Sequence, residues 1–325
     1  MSTVQTIIVE EDDAAIRLDR WFKRNYPSVN HGLLQKWLRT GQVRIDGKRA
    51  KANARLETGQ AIRIPPGADQ QPDEQHIQSK TVESSDADIA ALLDSILYKD
   101  NDLIAINKPA GLAVQGGSKT LHHIDGMLDH LQFDAKDRPR LVHRLDKDTS
   151  GVLLLARTRS ASTYLTQLFG SRSVQKKYWA LVAGVPQHQS GIIEAPLLKG
   201  ERRGGEKVLV NFEDGKPAET HYRVIETADQ KVAWLELEPK TGRTHQLRVH
   251  CDFMGIPILG DGKYGGSISY LKDVPHARNI HLHARSVELV LQNGTSTRVE
   301  APLSSKMLQT WQHFGFNLNA LNNDS

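Results

Sequence analysis

In residues 14–26 the apolar positions Ile16, Leu18, Trp21 and Phe22 recur with helical spacing, while Arg17, Arg20, Lys23 and Arg24 take the opposite face, so the pattern predicts an amphipathic helix. A second helix follows, with Asn30 placed to cap it, Leu33, Leu34, Trp37 and Leu38 forming its apolar stripe, and Gly41 ending it. Val43, Arg44 and Ile45 then alternate as a strand, Asp46-Gly47 is a strong hairpin-turn pair, and residues 61–64 close a small sheet before Pro65-Pro66. The expected unit, residues 1–66, is two helices and a hairpin, with Trp21 and Trp37 in its core.

Residues 67–90 change character. Asp69, Asp73, Glu74, Glu83, Asp86 and Asp88 stand against a single Lys80, with few large apolar residues between them, so the stretch reads as an acidic linker. Beyond it, residues 91–325 hold many short apolar runs, at 96–98, 103–107, 152–156, 178–182, 208–212, 220–225, 232–237 and 283–291, which predict strands. Helical candidates at 122–131, 160–169, 244–254 and 306–314 are too few and too irregularly placed for a doubly wound parallel fold. An α+β catalytic domain on a mixed or antiparallel sheet is expected.

With 325 residues there is room for both a small and an enzyme-sized domain. The net charge of +4 is mild, but residues 1–66 carry 12 Lys and Arg against 7 Asp and Glu, so the positive charge is concentrated at the front. Arg17, Arg20, Lys36, Arg39, Arg44, Lys48, Arg49 and Lys51 are dense enough to make several phosphate contacts, which points to a nucleic-acid face. Cys251 is the only cysteine, which excludes an intramolecular disulfide and a cysteine-rich zinc module. The first 15 residues do not read as a secretion signal, and no apolar run approaches the roughly 20 residues that span a membrane. A cytoplasmic protein is expected.

The candidate chemistry lies in residues 143–151, His-Arg-Leu-Asp-Lys-Asp-Thr-Ser-Gly, a polar turn just before the apolar run at 152–156. A short loop feeding a strand holds a reactive group steadily yet leaves it reachable. The residues offer two carboxylates, Asp146 and Asp148, a cation, Arg144, and an imidazole, His143. Ser150 lacks the upstream glycine of a nucleophile elbow. Neither His143 nor the pair His122-His123 has convincing metal-ligand spacing. The plainest alternative is a solvated turn whose Asp146 caps a backbone amide.

The same nine residues resemble the H-R-L-D-x-x-T-S-G signature of the RluA-type pseudouridine synthases, which convert uridine in RNA to its C-glycoside isomer. Lys108-Pro109-Ala110-Gly111 upstream, then Lys177-Tyr178 with Ala180-Leu181-Val182, and the run from Thr241 through Gly242, Arg243, Thr244, His245, Gln246, Leu247 and Arg248 to His250 follow in that family's order. The likeness covers nearly the whole chain. The first unit resembles the S4 RNA-binding domain. Gly116-Gly117-Ser118, residues 195–199 and residues 215–220 look most like the RluC branch, which acts on large-subunit ribosomal RNA.

The resemblance implies that Asp146 is the essential carboxylate, which composition alone does not separate from Asp148, and leaves open whether it attacks C1′, removes the C2′ proton or adds to C6. It implies that Arg248 forms an ion pair with Asp146, with Arg243 nearly as good a candidate on physical grounds, and that Tyr178 stacks on the base. Arg144 would fill the gap left when the nucleotide is extruded. Lys108 and the glycine-rich loop at 200–207 would add phosphate contacts. Many relatives carry a histidine where this chain has Gln115. Isomerisation changes neither atom count nor redox state, so no cofactor and no metal are expected, and the expected protein is a monomer whose partner is RNA, 23S ribosomal RNA first. The alternatives are a synthase for tRNA or another ribosomal RNA site, a non-catalytic S4-type assembly factor and, more distantly, a hydrolase using His143 or His245.

Overall fold

The computed structural model describes residues 4–68, 84–117, 120–171, 173–202 and 205–318. The chain divides into two compact units, Met1–Lys80 and Thr81–Ser325.

In the first unit the helices Leu18–Asn25 and His31–Thr40 pack on an antiparallel sheet ordered Gln5–Ile8, Ala61–Ile64, Arg44–Ile45, Lys48–Arg49. The Asn30 side chain accepts the Leu33 N–H at 2.9 Å, and Gly41 ends the second helix in the left-handed region at φ 70°. Asp46 and Gly47 both have positive φ, 49° and 73°, as a tight two-residue hairpin requires. Trp21 and Trp37 are buried with Phe22, Leu38, Val43, Ile62 and Ile64, as the pattern predicts. Two details differ. The first helix begins at Leu18 rather than residue 14, because Ala15 turns to φ 63° and Arg17 is extended. The strand Gln5–Ile8, too short and half-polar to stand out by alternation, pairs with Ala61–Ile64.

Most of the expected acidic linker, residues 69–83, lies outside the described residues. Its last part is not a linker: Ser85 and Asp88 form a reciprocal capping box, and Asp86–Asp94 is a helix. Carboxylates that read as linker charge sit in the helix's first turn, where the peptide dipole favours them. Leu92 then enters the core beside Ile104, Ile106 and Leu128.

The second unit is built on a ten-stranded mixed sheet. Its main path runs Ser190–Glu194, Glu219–Ala228, Val232–Pro239, Gln175–Ala183, Leu282–Val290, Ser150–Ala156, Leu103–Lys108, Ile96–Lys99. All pairings along this path are antiparallel except that of Leu282–Val290 with Ser150–Ala156, which is parallel and lasts only two residues. Past that short pairing, Leu282–Val290 turns to the edge strand Ser296–Glu300, so the sheet opens beside Ala284. Ala284 faces Tyr178 on one side and Gly151 on the other. Gly151 has φ 109°, and a Cβ there would lie 2.2 Å from the Ala284 carbonyl oxygen, so only glycine fits this approach.

Helix Gln246–Phe253 covers one face, burying Leu247 and Cys251 against Ala180, Val182, Leu235 and Leu282. Met254 joins them half-buried, and burial pushes the Cys251 thiol pKa up. In the region at 200–207, expected to add phosphate contacts, the described residues belong to the antiparallel strands Leu197–Arg202 and Gly205–Val210. Among the described residues no helix is long and apolar enough to cross a membrane.

Candidate active site

The signature turn is fixed at both ends before any side chain of the site is considered. His143 Nε2 accepts the Leu154 N–H at 2.9 Å and its ring stacks on Phe169 with centroids 4.3 Å apart. Burial holds its pKa far down, at about 3, so the imidazole stays neutral and serves as a structural acceptor. At the other end the Asp146 carbonyl accepts the Thr149 N–H, and the Lys147 carbonyl accepts both the Gly111 N–H and the Lys108 ammonium, each at 2.9 Å. The Asp146 carboxylate takes no backbone N–H among the described hydrogen bonds, so the reading as a capping aspartate does not describe this turn.

Lys108 is not the phosphate contact expected of it. It is fully buried, and its Nζ donates to the carbonyls of Pro109, Leu112 and Lys147. Burial lowers its pKa to about 8, opposed by the charges of Asp148 and Asp146. Three carbonyl acceptors and two nearby carboxylates explain how an ammonium is accommodated there, and they leave it no proton for RNA.

Asp146 opens into a cleft of about 390 Å³ whose walls include Arg144, Tyr178, Arg243, His245 and Arg248. That volume is within the usual range for a small-molecule site. Tyr178 lies on Gln175–Ala183, packs against the cores on both sides of it, and has its phenol pKa raised by burial and then by the Asp146 charge. Its hydroxyl is therefore neutral, and its ring is held rigidly beside the carboxylate. Arg144 and Arg243 are exposed on the wall of the cleft, with Arg243 Nε donating to the Pro217 carbonyl at 3.1 Å.

The expected ion pair is not present. Arg248 pairs with Asp261, Nε to Oδ2 at 2.7 Å and Nη2 to Oδ1 at 2.8 Å. Burial alone would lower the guanidinium pKa, but the Asp261 hydrogen bonds and charge, with the charge of Asp146, turn the net shift upward. Arg248 therefore acts on Asp146 through space, while Asp261 takes its hydrogen bonds. Tyr264 packs over the guanidinium at 5.1 Å. The nearest described ionisable neighbour of Asp146 is His245, with Nε2 3.9 Å from Oδ2.

The motif around Arg248 divides its work. Gln246 accepts from the Thr241 hydroxyl and the Arg243 N–H, and donates to the Glu219 carbonyl and Thr220 hydroxyl. His250 bonds Thr220 and the Ala195 carbonyl. These contacts lock the helix start, so His245 and Arg248 reach the cleft from a rigid element. Sequence reasoning missed Asp261 and Tyr264, although an aspartate between two glycines, Gly260-Asp261-Gly262, was a signal that this segment has unusual backbone demands. A second cleft of about 660 Å³ continues past Asp146 and is lined by Lys147, Arg278 and Lys306 among others.

A carboxylate beside a fixed aromatic ring, with arginines on the wall, defines an enzyme cleft for a flat, anionic substrate. Comparison with known proteins gives the family. Residues 102–253 match the family described as RNA pseudouridylate synthase. Ribosomal large subunit pseudouridine synthase C of Rickettsia prowazekii (strain Madrid E) is 39% identical over 277 residues, covering 84% of this chain and 88% of the relative. The protein of the same name from Escherichia coli (strain K12) is 34% identical over 318 residues, covering 95% and 96%. The solved structure of Human RNA Pseudouridylate Synthase Domain Containing 4 superposes with a TM-score of 0.59 at 30% identity, covering 70% of this chain and 95% of that one. The chain belongs to the RluA-type RNA pseudouridylate synthase family. It is an isomerase that converts uridine to pseudouridine.

Proposed function

We propose that this chain isomerises specific uridines of 23S ribosomal RNA, with Asp146 as the reacting carboxylate, Tyr178 as the surface that holds the base and Arg248 as the cation that favours the charged carboxylate. The observation that carries the reading is the convergence of Asp146, Tyr178 and Arg248 on one cleft from three separate elements. The ribosomal target is drawn from the names of relatives that align along nearly the full chain.

Arg144 and Arg243, exposed on the cleft wall, suit contact with the extruded nucleotide and its phosphates. In the first unit, read as an S4-like RNA-binding domain, Lys36, Arg39, Arg44 and Lys48 are exposed and carry the sequence-independent attraction to RNA. Arg17 is exposed too, though it is bound to Asp19 at 2.5 Å. The protein acts as a monomer in the cytoplasm on this reading.

Two measurements test it. Asp146→Asn should abolish pseudouridine formation while RNA binding persists, and an active variant would overturn the assignment. Pseudouridine mapping in a deletion strain should show sites lost from 23S RNA. Intact 23S RNA with altered tRNA would move the target to the alternative class.

A further inference from the structure

Pseudouridine formation has a proton requirement that Asp146 does not by itself meet. Rejoining the uracil through C5 leaves that carbon bonded to both C1′ and its original hydrogen. The C5 proton must leave, with its electron pair returning to the ring, and N1, freed from C1′, must gain one. No oxidant, reductant or other co-reactant enters the balance.

Among the groups lining the Asp146 cleft, few are able to accept that proton. Arg144, Arg243 and Arg248 are guanidiniums, which stay protonated in proteins. The Tyr178 phenol is held neutral by burial and by the Asp146 charge. His143 is occupied with the Leu154 N–H. Asp146 itself, Lys176 and His245 remain, and of these His245 has the unusual geometry. It stands at φ 54°, ψ 21°, a left-handed conformation that a residue with a side chain rarely adopts, immediately before helix Gln246–Phe253. That conformation is fixed by the stitched turn around Gln246, and it aims the ring into the cleft with Nε2 3.9 Å from the Asp146 carboxylate.

The other ring nitrogen is already engaged. His245 Nδ1 lies 2.7 Å from the Tyr264 hydroxyl, whose oxygen also accepts the Val208 N–H at 3.4 Å. In the tautomer whose Nδ1–H donates to Tyr264, the one that base chemistry at this position requires, the Nε2 lone pair faces the cleft. The groups around the imidazole are Asp146 from the signature turn, Arg248 from its own helix, and Asp261, Lys263 and Tyr264 from the segment that follows. Burial lowers its pKa, the charges of Asp146 and Asp261 oppose that, and Arg248 and Lys263 add to it, so the net direction favours the neutral ring that can accept a proton.

We propose that His245 Nε2 takes the proton from C5 of the rejoined base, with Tyr264 orienting the imidazole through Nδ1. The imidazolium that forms donates toward Tyr264 on one side and faces the Asp146 carboxylate on the other. Its proton then passes to N1, or to solvent while N1 takes a proton from solvent, and either route restores the neutral imidazole. The assignment rests on the reading that Asp146 marks where the uridine binds.

The test uses the full chain and an RNA transcript with deuterium at C5 of uridine, under single-turnover conditions. His245→Gln should fold and bind RNA as the parent does, isomerise on the order of 100-fold more slowly, and show a primary isotope effect at C5 that the parent lacks. The parent's loss of activity toward acid pH, as the imidazole protonates, should disappear in the variant. His245→Gly suits the left-handed backbone, and added imidazole should restore part of its rate. Wild-type turnover by His245→Gln, or slower turnover with no C5 isotope effect and no imidazole rescue of the glycine variant, overturns the proposal. Asp146→Asn separates the two readings: activity in that variant defeats the Asp146 assignment regardless of the histidine results.

Discussion

Arg248 and Asp261 form a two-point ion pair with both side chains almost wholly buried, at 6% and 1% exposure. The arginine that faces the candidate catalytic carboxylate is thereby held by a different carboxylate 13 residues further on. Asp261 Oδ1 also accepts the N–H groups of Lys263 and Tyr264, so the pair ties the helix to the segment carrying the histidine's tyrosine partner. Removing one member of such a pair leaves an uncompensated buried charge, which costs about 3–5 kcal/mol. Asp261→Ala should show that loss in urea unfolding together with a fall in isomerisation. Arg248→Lys, which keeps the charge but loses the planar fork, should lose activity more than it loses fold. Unchanged stability in Asp261→Ala would show that the pair is not the anchor described.

On the proposed reading Tyr178 holds the uracil by its face, with its hydroxyl kept neutral by burial and by the Asp146 charge. Tyr178→Phe keeps the ring and should retain much of the single-turnover rate. Tyr178→Leu removes a stack worth about 1–3 kcal/mol per base and should slow turnover about 10-fold to 100-fold. Equal rates for the two variants would remove stacking from the account.

Exposed and buried basic residues should separate by salt dependence. Alanine at Lys36, Arg39 or Lys48, all exposed, should each reduce the slope of log affinity against log salt by roughly 0.7–0.9. Lys108→Met should leave that slope unchanged, because its ammonium is spent on three carbonyls. It should instead lower the unfolding midpoint and slow isomerisation by loosening the Asp146 turn. A changed salt slope in Lys108→Met would contradict its burial.

His281 and His283 are buried and neutral, each held at a pKa of about 4 by burial. His283 bonds the Ser150 hydroxyl through Nδ1 and the Ala301 carbonyl through Nε2. In the unfolded chain each would titrate near its ordinary 6.5. Between these values the unfolded state binds protons that the folded state does not, so stability is full above about pH 6.5 and falls as the pH drops toward 4. The contribution lost is roughly 3 kcal/mol for each residue at the bottom of that window. Urea midpoints at a series of pH values should fall across it, and His283→Gln should flatten the dependence.

What was legible in the sequence was what short stretches decide for themselves. The cap at Asn30, the stop at Gly41 and the turn at Asp46-Gly47 are all local consequences of residue type and period. The same holds for the strand Ser150–Ala156, whose apolar run follows directly from the signature turn. Strands Gln5–Ile8, Ser190–Glu194 and Ser296–Glu300 escaped because they are short, half-polar and stabilised mainly by the strand they pair with. Asp86 and Asp88 read as linker because charge content says nothing about whether a serine stands ready to cap them.

The sequence, through its ordered motifs, determined which family this chain belongs to, and it picked out an aspartate, a tyrosine and an arginine that line one cleft. Only the tertiary structure decided that Arg248 bonds Asp261, that Lys108 points inward, and that His245 and Tyr264 stand beside Asp146. Motif order records which residues are present, but an ion pair or a hydrogen bond depends on distances of a few ångströms between segments that the chain brings together only on folding. A side chain's partner is therefore set by the packing around it, where sequence neighbours carry little information.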